Sequence, residues 1–69
     1  MNLNELKRFK IKGLLNHNIE SIKEFLPKVD FYHQEQQENL TYDVFVTLDP
    51  DELLQVQNMG FNIELLGMA

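Results

Sequence analysis

Cysteine is absent from the 69 residues, which excludes disulfide staples and any zinc centre built on thiolates. Long apolar runs are absent as well. None approaches the roughly 18 residues a membrane-spanning helix needs, and the basic N-terminal third lacks the apolar core of a signal peptide. The three glycines, Gly13, Gly60 and Gly67, stand apart, so no glycine-rich loop is available to cradle a phosphate. Positive charge is missing from more than half of the chain. All six basic residues (Lys7, Arg8, Lys10, Lys12, Lys23, Lys28) precede Val29, whereas Asp30, Glu35, Glu38, Asp43, Asp49, Asp51, Glu52 and Glu64 follow it. The formal net charge is −5. Direct nucleic-acid binding is disfavoured by that balance, because neutralising phosphates takes clustered cations. An acidic surface of this kind keeps a small chain soluble and suits a basic partner.

What is present is clearest from Leu48 to Leu65. Asp49 is placed as an N-cap, its carboxylate able to accept from the unpaired amides of a helix's first turn. Pro50 follows where a missing N–H costs nothing. Glu52, three residues after Asp49, completes a capping box, and Asp51 adds a further carboxylate at the positive end of the helix dipole. Gly60 supplies a left-handed stop. Phe61, Ile63 and Leu65 then alternate with Asn62 and Glu64, the pattern of a half-buried strand.

Upstream, residues 6–13 alternate, with Phe9 and Ile11 on one side and Arg8, Lys10 and Lys12 on the other. This predicts a first strand. A rival helix over residues 3–15 would collect Leu3, Leu6, Phe9, Leu14 and Leu15, but Gly13 and the alternation oppose it. Asn16, His17 and Asn18 form an expected turn and cap cluster. Ile19, Ile22 and Leu26 follow at helical spacing, with Phe25 at the margin, and Pro27 discourages further helix. Val29–Gln34 alternates with Val29, Phe31 and His33 on one face and Asp30, Tyr32 and Gln34 on the other. Residues 35–39 are turn-like. Residues 41–48 give the strongest strand pattern, with Tyr42, Val44, Val46 and Leu48 inward and Asp43, Phe45 and Thr47 outward; with its predecessor it makes an antiparallel hairpin.

The order strand, helix, strand, strand, helix, strand predicts an α+β, ferredoxin-like βαββαβ fold over residues 1–69 as one domain. Right-handed crossovers place both helices on one face of a four-stranded antiparallel sheet, with the first and third strands central. The expected core gathers Phe9, Ile11, Ile19, Ile22, Leu26, Val29, Phe31, Tyr42, Val44, Val46, Leu48, Leu53, Val56, Met59, Phe61, Ile63 and Leu65. It is a thin core. Burying each large apolar side chain contributes about 1.5–3 kcal/mol, and the entropy of ordering the chain offsets nearly all of the sum. The sheet's other face is left uncovered, carrying Arg8, Lys10 and Lys12 between strands that hold Asp43 and Glu64, so cross-strand ion pairs are expected. Tyr32, Phe45 and Leu66 are expected to stand exposed on it, either scattered, as is ordinary on a sheet face, or contiguous, as a contact patch.

Pro50-Asp51-Glu52-Leu53, followed by Val56, Met59, Gly60, Phe61 and Ile63, resembles the end of carboxypeptidase activation domains and related propeptide-like domains. Those are small ferredoxin-like modules that chaperone or block a peptidase. The resemblance covers residues 48–65. No peptidase domain follows in this chain, and Leu54 stands where those domains usually carry a polar residue. The resemblance implies a free-standing inhibitor or binder, with Leu54 a candidate contact; the helical spacing alone instead tucks Leu54 over the core's flank.

Catalytic chemistry finds few materials. His33 and Glu35 share a strand face, but metal sites want three or four supported ligands, and no metal or cofactor is expected. Ser21 lies opposite the apolar stripe of its helix with no histidine placed to activate it. The chain is therefore read as non-enzymatic. The first expectation is an acidic protein-binding module, a small inhibitor or modulator of a larger basic-surfaced protein. Such proteins are encoded by phages and mobile elements, which sets the expected location in the cytoplasm of a microbial or infected host cell. The candidate contact residues are Tyr32, Phe45, Leu66, Asp43, Glu64, Glu38, Asp51 and Leu54; neither nucleic acid nor membrane is an expected partner. The alternative is a regulatory or scaffold domain that forms a homodimer through its open sheet face or its edge strands.

Overall fold

The computed structural model describes residues 6–68. Six elements follow in chain order: β1 (Lys7–Leu14), α1 (Asn16–Phe25), β2 (Asp30–Gln36), β3 (Tyr42–Leu48), α2 (Pro50–Asn58) and β4 (Asn62–Met68). The four strands form one sheet in the order β2-β3-β1-β4, and every neighbouring pair is antiparallel. This is the α+β, ferredoxin-like arrangement, with β1 and β3 central. The rival helix is not formed over its described part, because residues 7–14 pair with β3 and β4 instead. None of the described helices is long and apolar enough to cross a membrane.

The core lies on one face. Phe9 and Ile11 of β1, with Val44, Val46 and Leu48 of β3, are buried beneath Ile19, Ile22 and Leu26 of α1 and Val56 of α2. Because one parity of strand residues meets both helices, the opposite parity is left without a covering layer. Leu14 is fully buried although strict alternation from Phe9 and Ile11 would turn it outward. The cause is a bulge. Ile11 pairs with Val44 and Leu14 with Tyr42, so Lys12 and Gly13 together oppose the single residue Asp43. Gly13 takes φ +74°, open to glycine at little cost, and the shift returns Leu14 to the core.

Local signals explain the helices. In α2, Glu52 N–H donates to Asp49 Oδ1 at 2.8 Å and Asp49 N–H donates to Glu52 Oε1 at 2.9 Å, a complete capping box. Gly60, at φ +88°, ends the turn that follows the helix. Helix α1 begins earlier than its composition predicts, since Asn16, His17 and Asn18 are its first turn and not a preceding loop. Leu15 occupies the N-cap, and Asn18 Oδ1 reaches back to accept from Leu15 N–H at 2.9 Å. An asparagine suited to capping thus acts from inside the helix.

Two further bulges alter the edge strands. In β2, Phe31 pairs with Val46 while His33 pairs with Phe45, leaving Tyr32 as the extra residue. His33 therefore joins the uncovered face and Gln34, opposite Val44, moves to the helix side, the reverse of the alternating expectation. In β4, Arg8 pairs with Gly67 and Phe9 with Leu65, so Leu66 is the extra residue. Leu65 faces the helix side opposite Phe9, yet it remains 58% exposed and is not part of the core. The β2–β3 loop closes through Gln37 N–H to Thr41 C=O at 2.8 Å and Leu40 N–H to Gln37 C=O at 3.0 Å. Leu40 sits there at φ +67°, a left-handed position such loops normally give to glycine.

Candidate functional site

The uncovered sheet face is organised around Phe45. As an odd-parity residue of β3, it points away from both helices and is half-buried by its neighbours on that face. The β2 bulge brings two rings to it: His33 at 5.0 Å and Tyr32 at 6.2 Å between centroids, both tilted by about 60°. Strand β1 contributes the cations. Lys10 Nζ lies 5.5 Å from the Phe45 ring centre, and the Arg8 guanidinium 5.3 Å from that of Tyr32. Such contacts are worth about 0.5–1 kcal/mol each when exposed.

Ion pairs frame this cluster as the strand register dictates. Lys10 sits opposite Phe45 and Glu64, and Lys12 opposite Asn62, so their side chains fall beside carboxylates on the flanking strands. Lys12 Nζ meets Glu64 Oε1 at 2.9 Å. That hydrogen bond, with the charge behind it, lowers the Glu64 carboxyl below its ordinary value and raises the Lys12 ammonium above its own. Lys10 Nζ lies 3.6 Å from Asp43 Oδ2. His33 Nε2 stands 3.4 Å from Glu35 Oε2 across two residues of β2.

Asp43 is not a free surface carboxylate. It is only 8% exposed, because Gly13 N–H donates to its Oδ1 at 3.2 Å and Gln37 Nε2 to its Oδ2 at 3.1 Å. The bulge that returns Leu14 to the core thereby also aims an otherwise unpaired amide at Asp43. A buried carboxylate with two donors and an ammonium is a structural junction between β1, β3 and the hairpin loop. Beside it, the bulge and the loop enclose an open, shallow depression of about 500 Å³.

The other sequence-predicted contacts divide by place. Tyr32 and Phe45 come together as one patch. Leu66 is exposed on β4, on the far side of β1 from that patch. Glu64 is engaged with Lys12, while Glu38 sits at the hairpin tip. Asp51 and Leu54 belong to α2, in the other layer; Leu54 is 57% exposed and is not tucked over the core. Alternation put Arg8 and Lys10 on the face of the ring cluster without pairing them to its rings, and it placed His33 on the wrong face. The β2 bulge recruits the histidine, and no residue type in β2 marks that bulge. Ser21 lies on α1 and His33 on the opposite side of the sheet, so the two are not brought together. Among the described residues, no group of three or more His, Asp and Glu side chains converges as metal ligands would. Comparison with protein-family models, curated proteins and solved structures finds no match in any of the three.

Proposed function

We propose that the chain is a non-enzymatic protein-binding module, a small inhibitor or modulator of a larger protein with a basic surface. The observation that carries this reading is the Phe45–Tyr32–His33 ring cluster, standing on a sheet face that no helix covers. Aromatic side chains lose little conformational entropy on docking and are enriched where interfaces concentrate their energy. Electrostatics supplies the partner's sign. Lys10 and Lys12 are engaged by Asp43 and Glu64, so the −5 charge of the chain is expressed by carboxylates such as Glu38 and Asp51 at its periphery. A basic surface approaching the rings would meet Glu38, at the tip of the same hairpin, as a rim, whereas Asp51 lies in the helix layer.

Affinity capture with three baits tests the reading: the wild-type chain, Phe45→Asp and Glu38→Lys, each shown to be folded by circular dichroism. The expected result is a protein retained by wild type at low salt, released as salt rises, absent from the Phe45→Asp eluate and depleted in the Glu38→Lys eluate. The same proteins retained on all three baits would overturn the reading.

A further inference from the structure

We infer that the unpaired edge of β4 is a self-association surface, on which β4 of a second copy adds antiparallel and extends the sheet across a two-fold axis. This goes beyond the reading above and uses a different surface. Among the described residues, strand order leaves two edges, β2 and β4, each with a row of backbone N–H and C=O groups that no neighbouring strand pairs. Folded proteins guard such edges with charge, bulges or short strands. Strand β2 is guarded in that way: Asp30, His33 and Glu35 lie along it, and Tyr32 bulges from it.

Strand β4 is guarded far less. Its one ionisable side chain, Glu64, is already engaged by Lys12. Its second half is Leu65, Leu66, Gly67 and Met68, with Leu65 and Met68 58% and 61% exposed. On the helix side, Lys7, Phe9, Ile63 and Leu65 of the sheet and Leu53 and Gln57 of α2 line a groove of about 260 Å³ beside this strand, mostly apolar with one cation. The edge's irregularities, the bulge at Leu66 and the positive φ of Gly67, lie within the apolar stretch.

Charge selects the occupant. In a chain of net charge −5, two copies repel over most of their surfaces. Pairing β2 with β2 would set Asp30 and Glu35 against like charges. Strand β4 is the exception, since Glu64 is cancelled by Lys12 within each copy and the further charge beside it, Lys7 of β1, adds nothing to the acidic repulsion. A basic partner strand finds no free carboxylate on β4, whereas a second β4 offers an apolar, neutral edge to match. A two-fold axis then brings each copy's exposed Leu65 to the groove of the other.

Light scattering and sedimentation of the full chain across a concentration series test this, with Leu65→Lys and Met68→Lys as edge variants and Phe45→Asp as the open-face control. The expected wild-type mass rises from 8.2 kDa toward twice that value with concentration. Each edge variant, folded by circular dichroism, should raise the dimer dissociation constant by about tenfold or more, because each lysine enters twice. Phe45→Asp should leave association unchanged. Amide exchange should show protection of β4, and not of β2, increasing with concentration. A wild type monomeric at all concentrations overturns the proposal, whether the edge stays bare or takes a strand from another protein. Association lost in Phe45→Asp and kept in Leu65→Lys overturns it too, while leaving the ring cluster as a contact surface.

Discussion

Helices α1 and α2 lie on the same face of the same sheet, yet they are held there by different means. Helix α1 buries Ile19 and Ile22, with Leu26 sealing its end, although its N-cap is a leucine that offers no hydrogen-bond acceptor. Helix α2 buries Val56 alone, although its capping box, N-terminal proline and glycine stop are complete. The strand beyond α2 follows suit, since no residue of β4 is buried. Where tertiary packing is strong, local chemistry is weak, and the reverse holds on the other side. A short helix is marginal on its own, so α2 depends on end chemistry that α1 can do without.

The largest expected effect comes from a matched pair of deletions. Ile22→Ala and Leu53→Ala remove the same number of carbons, one from beneath α1 and one from the half-exposed flank of α2. Ile22→Ala should cost about 2–5 kcal/mol in chemical denaturation, and Leu53→Ala less than half of whatever value is found. Equal costs would break the contrast. The caps come next. Asp49→Ala should cost about 1 kcal/mol, because it removes the acceptor for Glu52 N–H, while the reciprocal bond from the backbone N–H of residue 49 to Glu52 stays possible. Asn18→Ala should cost less in the same titration, since burial holds α1 in place. A larger loss at Asn18 than at Asp49 would reverse the assignment of means.

The smallest effect is expected from the ion pair that ties β4 to β1. Glu64 has a lowered carboxyl, so its contribution is present above the ordinary carboxylate range and is lost as pH falls through the lowered value. Lys12 has a raised ammonium, so its contribution is present below the ordinary lysine value and is lost as pH rises through the raised one. At neutral pH both are fully in place. A Lys12→Met, Glu64→Gln double-mutant cycle should therefore give a small favourable coupling near pH 7 that fades at both extremes and in high salt. A coupling independent of salt would mean that the pair is more sheltered than its exposure implies.

Element order, strand pairing and the α2 cap were legible because each depends on neighbouring residues: Asp49 with Glu52, Gly60 with the helix before it, Val44 alternating with Phe45. The pairing of Lys12 with Glu64 was legible too, once β1 was placed between two acid-bearing strands. The return of Leu14 to the core was half-legible, since a glycine inside a strand often marks a bulge. The bulge at Leu66 has the same marker in its neighbour Gly67, the one at Tyr32 has none, and neither Tyr32 nor Leu66 itself gives a sign. Those residues are ordinary strand formers, and the extra residue reflects how edge strands accommodate sheet twist, a property of the pairing and not of the side chain. The β2 bulge shifts residues across the sheet, which is why His33 was placed inward, whereas Leu65 keeps the helix side alternation gave it and misses the core only by its exposure at the edge. Alternation is a reliable guide only as far as the first irregularity.

Lys7 and Met68 pair directly across β1 and β4. The described chain therefore leaves the sheet at nearly the same point where it enters, and its path is almost a closed ring. A linker of a few residues would join the two ends without stretching either strand. The hairpin tip, where Leu40 is both strained and solvent-facing, is the natural place to cut new ends in such a permuted chain. By the same geometry, the whole unit could be grafted into a surface loop of a carrier protein, entering and leaving through a single doorway.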